Sequence, residues 1–205
     1  MTRAAVEVFA DVTCPFAHVG LRRFVTYRQA RASTLPALRV RAWPLELVNG
    51  APLETALNAQ HIDELREQVA PELFGRFDRE RSATSSMPAL GFIAGAYAID
   101  DATGERVSLT VRDAFFEHGL DISDPAVLDR IASSEGIGTL PVGGEATVLQ
   151  DYEEGKRRGV RGSPEFYLDG RGWYCPSLHI ETIDGKLEIE PDIEEVEAFL
   201  DACFA

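Results

Sequence analysis

At 205 residues, 45% of them hydrophobic and 26% charged, the chain has the composition of an ordinary globular protein. That length is enough to bury a core without disulfide or metal staples. Its 34 acidic residues against 20 basic ones leave a formal charge of −14. Such a field repels phosphate backbones and anionic lipid surfaces, which argues against nucleic-acid and membrane partners.

The first element, Ala5 to Asp11, is short and β-rich, with apolar residues on both parities, so it reads as a strand buried on both faces. Upstream, Glu7 interrupts any signal-peptide core, no run approaches a membrane span, and three cysteines make an odd count. These features suit a reducing compartment, and the cytoplasm is the expected location. A Pro15 turn leads into a helix expected from about His18 to Ala32, its stripe formed by Leu21, Phe24, Val25 and Arg28. Leu38 to Leu45 reads as a second strand, closed by Pro44. Strand, helix, strand at this spacing predicts a right-handed βαβ unit with parallel strands.

Residues 51 to 139 lose strand character. Helical patterns are expected over Asp63 to Phe77, Met87 to Ile99 and Val107 to His118. A further helix opens at Asp124-Pro125, an N-cap followed by proline at the first helical position, and Gly136 is a plausible stop. After a helix from Glu145 to Arg158, Glu165 to Leu168 reads as a strand bounded by Asp169-Gly170. Ile180 to Ile183 and Lys186 to Ile189 read as a hairpin turning at Asp184-Gly185. Pro191 precedes a last helix carrying Val196, Phe199, Leu200 and Cys203 on one side. The order predicts an α/β sheet in two halves, residues 1–50 (βαβ) and 140–205 (αββα), split by an all-helical insertion over 51–139.

Two short segments carry chemistry. Cys14 stands where the first strand ends and the first helix begins, facing unpaired backbone N–H groups and the positive end of the helix dipole. Both favour thiolate over thiol, and thiolate is the nucleophile. The competing reading is a small core cysteine that happens to end a strand. His18, one turn on, would tune the thiol, lowering its pKa when protonated or taking its proton when neutral; the bland alternative is a surface or capping histidine. The second segment, Gly159 to Phe166, places Ser163-Pro164 directly before a strand, where a cis peptide bond would fit. Two Cys-x3-His spacings, Cys14/His18 and Cys175/His179, are too loose to predict zinc, and no metal is expected. Cys175 is expected toward the far end of the sheet from Cys14, Cys203 in the core, and His61 has no evident partner.

Together, Asp11-x-x-Cys14-Pro15 at a helix start, a helical insertion and Gly159-Val-x-Gly162-Ser163-Pro164-x-Phe166 at a late strand resemble the DsbA-like thioredoxin-domain family. The nearest branches are the FrnE-like proteins, the 2-hydroxychromene-2-carboxylate isomerases and the kappa-class glutathione transferases. The resemblance spans essentially the whole chain and implies a thioredoxin fold with an inserted all-helical domain. It implies that Cys14 is the nucleophile, that Pro15, Phe16 and Ala17 complete the active-site turn, and that Gly162, Ser163 and Pro164 form the cis-proline loop that binds peptide or glutathione. The departure is at Ala17. Disulfide oxidoreductases of the family carry a second cysteine there, and without it a mixed disulfide at Cys14 has no intramolecular release. The implied activity is therefore thiol–disulfide exchange through a single cysteine. The alternatives are a glutathione-dependent isomerase or transferase, whose serine Cys14 would replace, and a binding module without turnover. No tightly bound cofactor is implied. Glutathione is the implied co-substrate, the partners are protein thiols or a glutathione-linked small molecule, and a homodimer is compatible with the pattern.

Overall fold

A computed structural model describes residues 5–31, 33, 36–80, 83–138 and 144–204. Met1–Ala4, the expected helix end at Ala32, and the expected boundary at 139–140 lie outside these residues.

Strand β1 (Val6–Ala10) lies between β2 (Leu38–Ala42), parallel to it, and β3 (Glu165–Leu168), antiparallel; β4 (Arg171–Tyr174) pairs antiparallel with β3 and closes the order β2-β1-β3-β4. The two parities of β1 explain its central place. Val6, Val8 and Ala10 join the main core, while Phe9 points to the other face and packs edge-on to Trp43 and Tyr167. Each such aromatic, fully buried, contributes on the order of 2–3 kcal/mol. Helix α1 (Pro15–Ala30) covers the main face, with Phe24 against Phe166 and against Phe199 of the last helix, α8 (Ile193–Phe204). Helix α7 (Gly144–Arg158) covers the other face. Its Gly155 lies so close to Trp43 and Phe9 that any side chain there would collide with both rings.

Between β2 and α7 run α2 (Leu45–Asn49), α3 (Thr55–Gln68), α4 (Met87–Tyr97), α5 (Asp101–Phe116) and α6 (Pro125–Ser134). The Asp124 side chain accepts from the Ala126 N–H ahead of Pro125, the cap its sequence predicts. Helix α3 sits earlier than its pattern suggested, because Pro71 lacks an N–H and cannot continue the Asp63–Phe77 helix. Helix α1 also begins earlier, at Pro15, with Cys14 as its N-cap. The short α2 is absent from the sequence reading.

The second half of the sheet differs from expectation. The outer partner of β3 is β4, which follows immediately after the Asp169-Gly170 turn, both residues at positive φ. The predicted hairpin forms, β5 (Leu178–Ile183) with β6 (Lys186–Pro191) turning at Asp184-Gly185, but it stands as a separate two-stranded sheet. Gln60 and Gln68 of α3 strap it down through the carbonyls of Gly185 and Leu187 and the N–H of Ile189. Among the described residues no helix is long and apolar enough to cross a membrane.

Candidate active site

The site grows from the end of β1. The Asp11 carboxylate, 1% exposed, accepts four hydrogen bonds: Thr13 N–H at 2.7 Å, Thr13 Oγ1 at 2.8 Å, Leu45 N–H at 2.7 Å and Ser86 Oγ at 3.0 Å. It fixes the Asp11-Val12-Thr13 turn and ties it to α2 and the start of α4. From beneath, the fully buried Arg112 of α5 donates to the Asp11 carbonyl at 3.1 Å. Across the gap the Ser163–Pro164 bond is cis, and the Ser163 hydroxyl accepts from the Asp11 N–H at 2.9 Å. The turn and the loop are thus locked together.

Cys14 lies between them. Its thiol donates to the Ser163 carbonyl at 3.1 Å and is 3% exposed. Burial pushes the thiol up to about 11, and the Asp11 charge adds to this; hydrogen bonding at Ser163 and the N–H groups of Ala17 and Phe16 pull it down but do not prevail. The helix start therefore does supply the stabilising dipoles its position predicts, and desolvation outweighs them. The resting group is a neutral thiol.

A cavity of about 260 Å³ opens beside it, lined by Cys14, Pro15, Phe16, Gly162 and Ser163 from the sheet half. Leu45, Val48, Leu53, Leu57, Asn58 and His61 line it from the helical half. Among the described residues the buried Asn58 side-chain carbonyl has no hydrogen-bond partner. Arg161 and Tyr174 stand at the rim, the guanidinium 5.1 Å from the ring centroid and paired with Glu165. Of the residues the sequence pointed to, Ala17 and Pro164 do not line it.

His18 is placed elsewhere. Its ring is buried between Phe74 (5.3 Å) and Phe116 (4.7 Å), with Nε2 2.8 Å from Glu117. Burial lowers its pKa, against the pull of Glu117, so the neutral ring donates to the carboxylate. Glu117 also accepts from the N–H groups of Phe74 and Gly75, so this pair anchors α1 to the insertion. A helical residue one turn from Cys14 shares its backbone hydrogen bond, His18 N–H to Cys14 C=O at 3.1 Å, without sharing the cavity.

Cys175 also departs from expectation. Because β4 doubles straight back along β3, Cys175 ends beside the cis-proline loop, its N–H donating to the Pro164 carbonyl at 3.0 Å. It is near the Cys14 end of the sheet and not the far end. It stays buried outside the cavity, its thiol pushed up to about 12 by burial and, second, by Cys14. His179 is exposed on β5 beside Glu181, and among the described residues no three metal-ligating side chains converge.

The missed lining residues, His61 above all, carry no local signature. They reach the cavity only because α2 and α3 fold back over the start of α1.

One parallel and two antiparallel ladders, a cysteine capping the first helix and a cis-proline loop against its sulfur define a thioredoxin-fold protein, here with helices inserted between β2 and α7. The chain belongs to the DSBA-like thioredoxin domain family, whose model matches residues 5–188. No curated protein matches the sequence. Three solved structures share the fold at low identity. A candidate protein disulfide isomerase of Nitrosomonas europaea has 16% identity and a TM-score of 0.65, over 97% of this chain and 96% of that one. A 2-hydroxychromene-2-carboxylate isomerase has 12% and 0.62, over 83% and 88%. The cytosolic disulfide reductase DsbM of Pseudomonas aeruginosa has 16% and 0.55, over 97% of both chains, and a second structure of it contains GSH.

Proposed function

We propose that this protein is a cytoplasmic thiol–disulfide oxidoreductase that works through a single cysteine, Cys14, with glutathione as the second thiol. The observation that carries the reading is the placement of Cys14: its sulfur abuts the Ser163–Pro164 loop and it is the cavity's one cysteine. In the first step the Cys14 sulfur attacks a glutathionyl disulfide, forming Cys14–S–S–glutathione and releasing the other thiol. With Ala17 in the resolving position, a second glutathione then attacks the glutathionyl sulfur, releasing glutathione disulfide and regenerating the Cys14 thiol. Atoms and electrons balance: the glutathionyl disulfide and one glutathione become the released thiol and glutathione disulfide, and Cys14 ends as it began. The cavity suits this tripeptide, with apolar side chains along one wall and Arg161 at the rim for a carboxylate.

Incubation with glutathione disulfide tests the reading. One glutathionyl adduct per chain is expected, mapping to Cys14 and removed by reduced glutathione, whereas Cys14→Ser stays folded and takes up none. Serine is a favourable helix N-cap, so the variant keeps the start of α1. An adduct confined to Cys175 or Cys203, or none, refutes it.

A second reading has one specific observation in its favour. A neutral Cys14 thiol is a donor, and could steady a bound glutathione thiolate while an apolar substrate occupies the cavity, as in a glutathione-dependent isomerase or transferase. Protection of Cys14 by glutathione without an adduct would favour that reading.

A further inference from the structure

Any exchange at Cys14 begins from a protonated sulfur that is a poor nucleophile until its proton leaves. The base is not His18, whose Nε2 is held by Glu117 and whose ring is walled in by Phe74 and Phe116. Nor is it Arg112, a permanent cation under the turn. The cavity wall itself offers few other candidates. Glu54 is exposed at the N-cap of α3, Tyr174 is a phenol that burial makes still harder to ionise, and Arg161 carries no free lone pair.

His61 remains. It projects from the middle of α3 into the same cavity as Cys14, its ring 5.6 Å from that of Phe16, two residues beyond the thiol. Among the described residues its ring nitrogens form no hydrogen bond or ion pair, unlike those of His18 and His179. The ring is half-buried and open to a ligand. We infer that His61 is the general base of the exchange, taking the proton of the Cys14 thiol and returning it to the departing thiolate.

The inference rests on the thiol–disulfide reading. In the first step the Cys14 proton passes to an imidazole nitrogen, Cys14 Sγ bonds to the glutathionyl sulfur, the disulfide breaks, and the leaving thiolate recovers the proton from the imidazolium. In the second step His61 takes the proton of the incoming glutathione and gives it to the Cys14 thiolate. No proton is gained or lost over the cycle. The groups around His61 keep it suited to this. Cys14, Arg161, Tyr174 and Glu54 line the same cavity, while Glu64 of its own helix acts on it as a nearby charge and lines the other side of α3 with Lys186 and Glu188 of the hairpin. Burial lowers the ring's pKa from the ordinary 6.5, with Glu64 opposing, so the free base predominates at neutral pH.

The test is the rate of Cys14 glutathionylation by glutathione disulfide against pH, in the wild type, His61→Gln and His61→Ala. Loss of a general base costs typically 10²–10⁴-fold. The expected result is a drop of about 100-fold at pH 7 in both variants, loss of the inflection below pH 6.5 that the wild-type profile shows, and recovery of His61→Ala, but not His61→Gln, with added imidazole. Equal rates and profiles in all three proteins overturn the inference and leave the role of Cys14 standing. So does a slower variant that keeps the wild-type profile and ignores imidazole, which marks a packing role. If the wild type forms no adduct at any pH, the parent reading and this one fall together.

Discussion

Replacing Asp11 by asparagine should weaken the fold while acidifying Cys14. The carboxylate is 1% exposed and its two oxygens each receive a backbone N–H at 2.7 Å, from Thr13 and from Leu45. An asparagine offers one carbonyl oxygen, so its amide group must face one of these donors, leaving it unsatisfied at a cost of about 1–3 kcal/mol. The negative charge that offsets the fully buried Arg112 is lost as well. Removing one partner from a buried charge arrangement costs typically ~3–5 kcal/mol, and that range is the expectation for the variant. At roughly 2–4 °C per kcal/mol for a domain of this size, the Tm should fall on the order of 10 °C. The same charge raises the Cys14 pKa, so its removal should bring the thiol below about 11. Thermal unfolding and the pH dependence of Cys14 alkylation, read by peptide mapping, measure the two effects on one preparation. A Tm within about 2 °C of wild type, or a Cys14 pKa that rises, would refute the reasoning.

The His18–Glu117 pair predicts acid sensitivity. Glu117 is held at about 2, below the ordinary 4.5, by its bonds from His18, Phe74 and Gly75 despite the opposing cost of burial. Its contribution is complete above pH 4.5 and lost as pH falls toward 2. His18 is also lowered, so below pH 6.5 the unfolded chain takes up a proton that the folded chain resists. Stability should therefore decline from about pH 6.5 downward, and Glu117→Gln should flatten the curve between 4.5 and 2 while lowering stability at pH 7; a urea midpoint that parallels wild type throughout would contradict this. Gly155→Ala offers a packing test. Its Cβ would lie 2.6 Å from Trp43 Cε3 and 3.1 Å from Phe9 Cδ1, so the usual helix gain of about 1 kcal/mol should be overturned by a loss of about 1–3 kcal/mol, with a changed tryptophan signal in near-ultraviolet circular dichroism. An unchanged or raised Tm would show that α7 can shift freely.

Much of the fold is legible because its signals are local. Proline after Cys14 starts α1, Asp124-Pro125 starts α6, Asp184-Gly185 turns the hairpin, and Gly159 at positive φ ends α7. Each works within a turn of chain, where capping and φ preferences act. The family pattern likewise places Cys14 and Ser163-Pro164 in order along the chain, and the missing second cysteine at Ala17 is plain from the residues alone.

Tertiary structure decided which of these groups meet. The return of β4 along β3 is turned by Asp169-Gly170, a local signal like Asp184-Gly185, but that this hairpin joins the central sheet and so brings Cys175 beside Pro164 is a tertiary matter. Helical spacing puts His18 a turn from Cys14, but neighbours from α5 and the segment after α3 decide where its ring goes. His61 is distant in sequence from Cys14 and shares its cavity only because α3 folds over the start of α1. The charge state of Cys14 was also beyond the sequence. The helix dipole acts along the chain and can be read from it, whereas desolvation depends on everything packed around the sulfur, and here it is the larger effect.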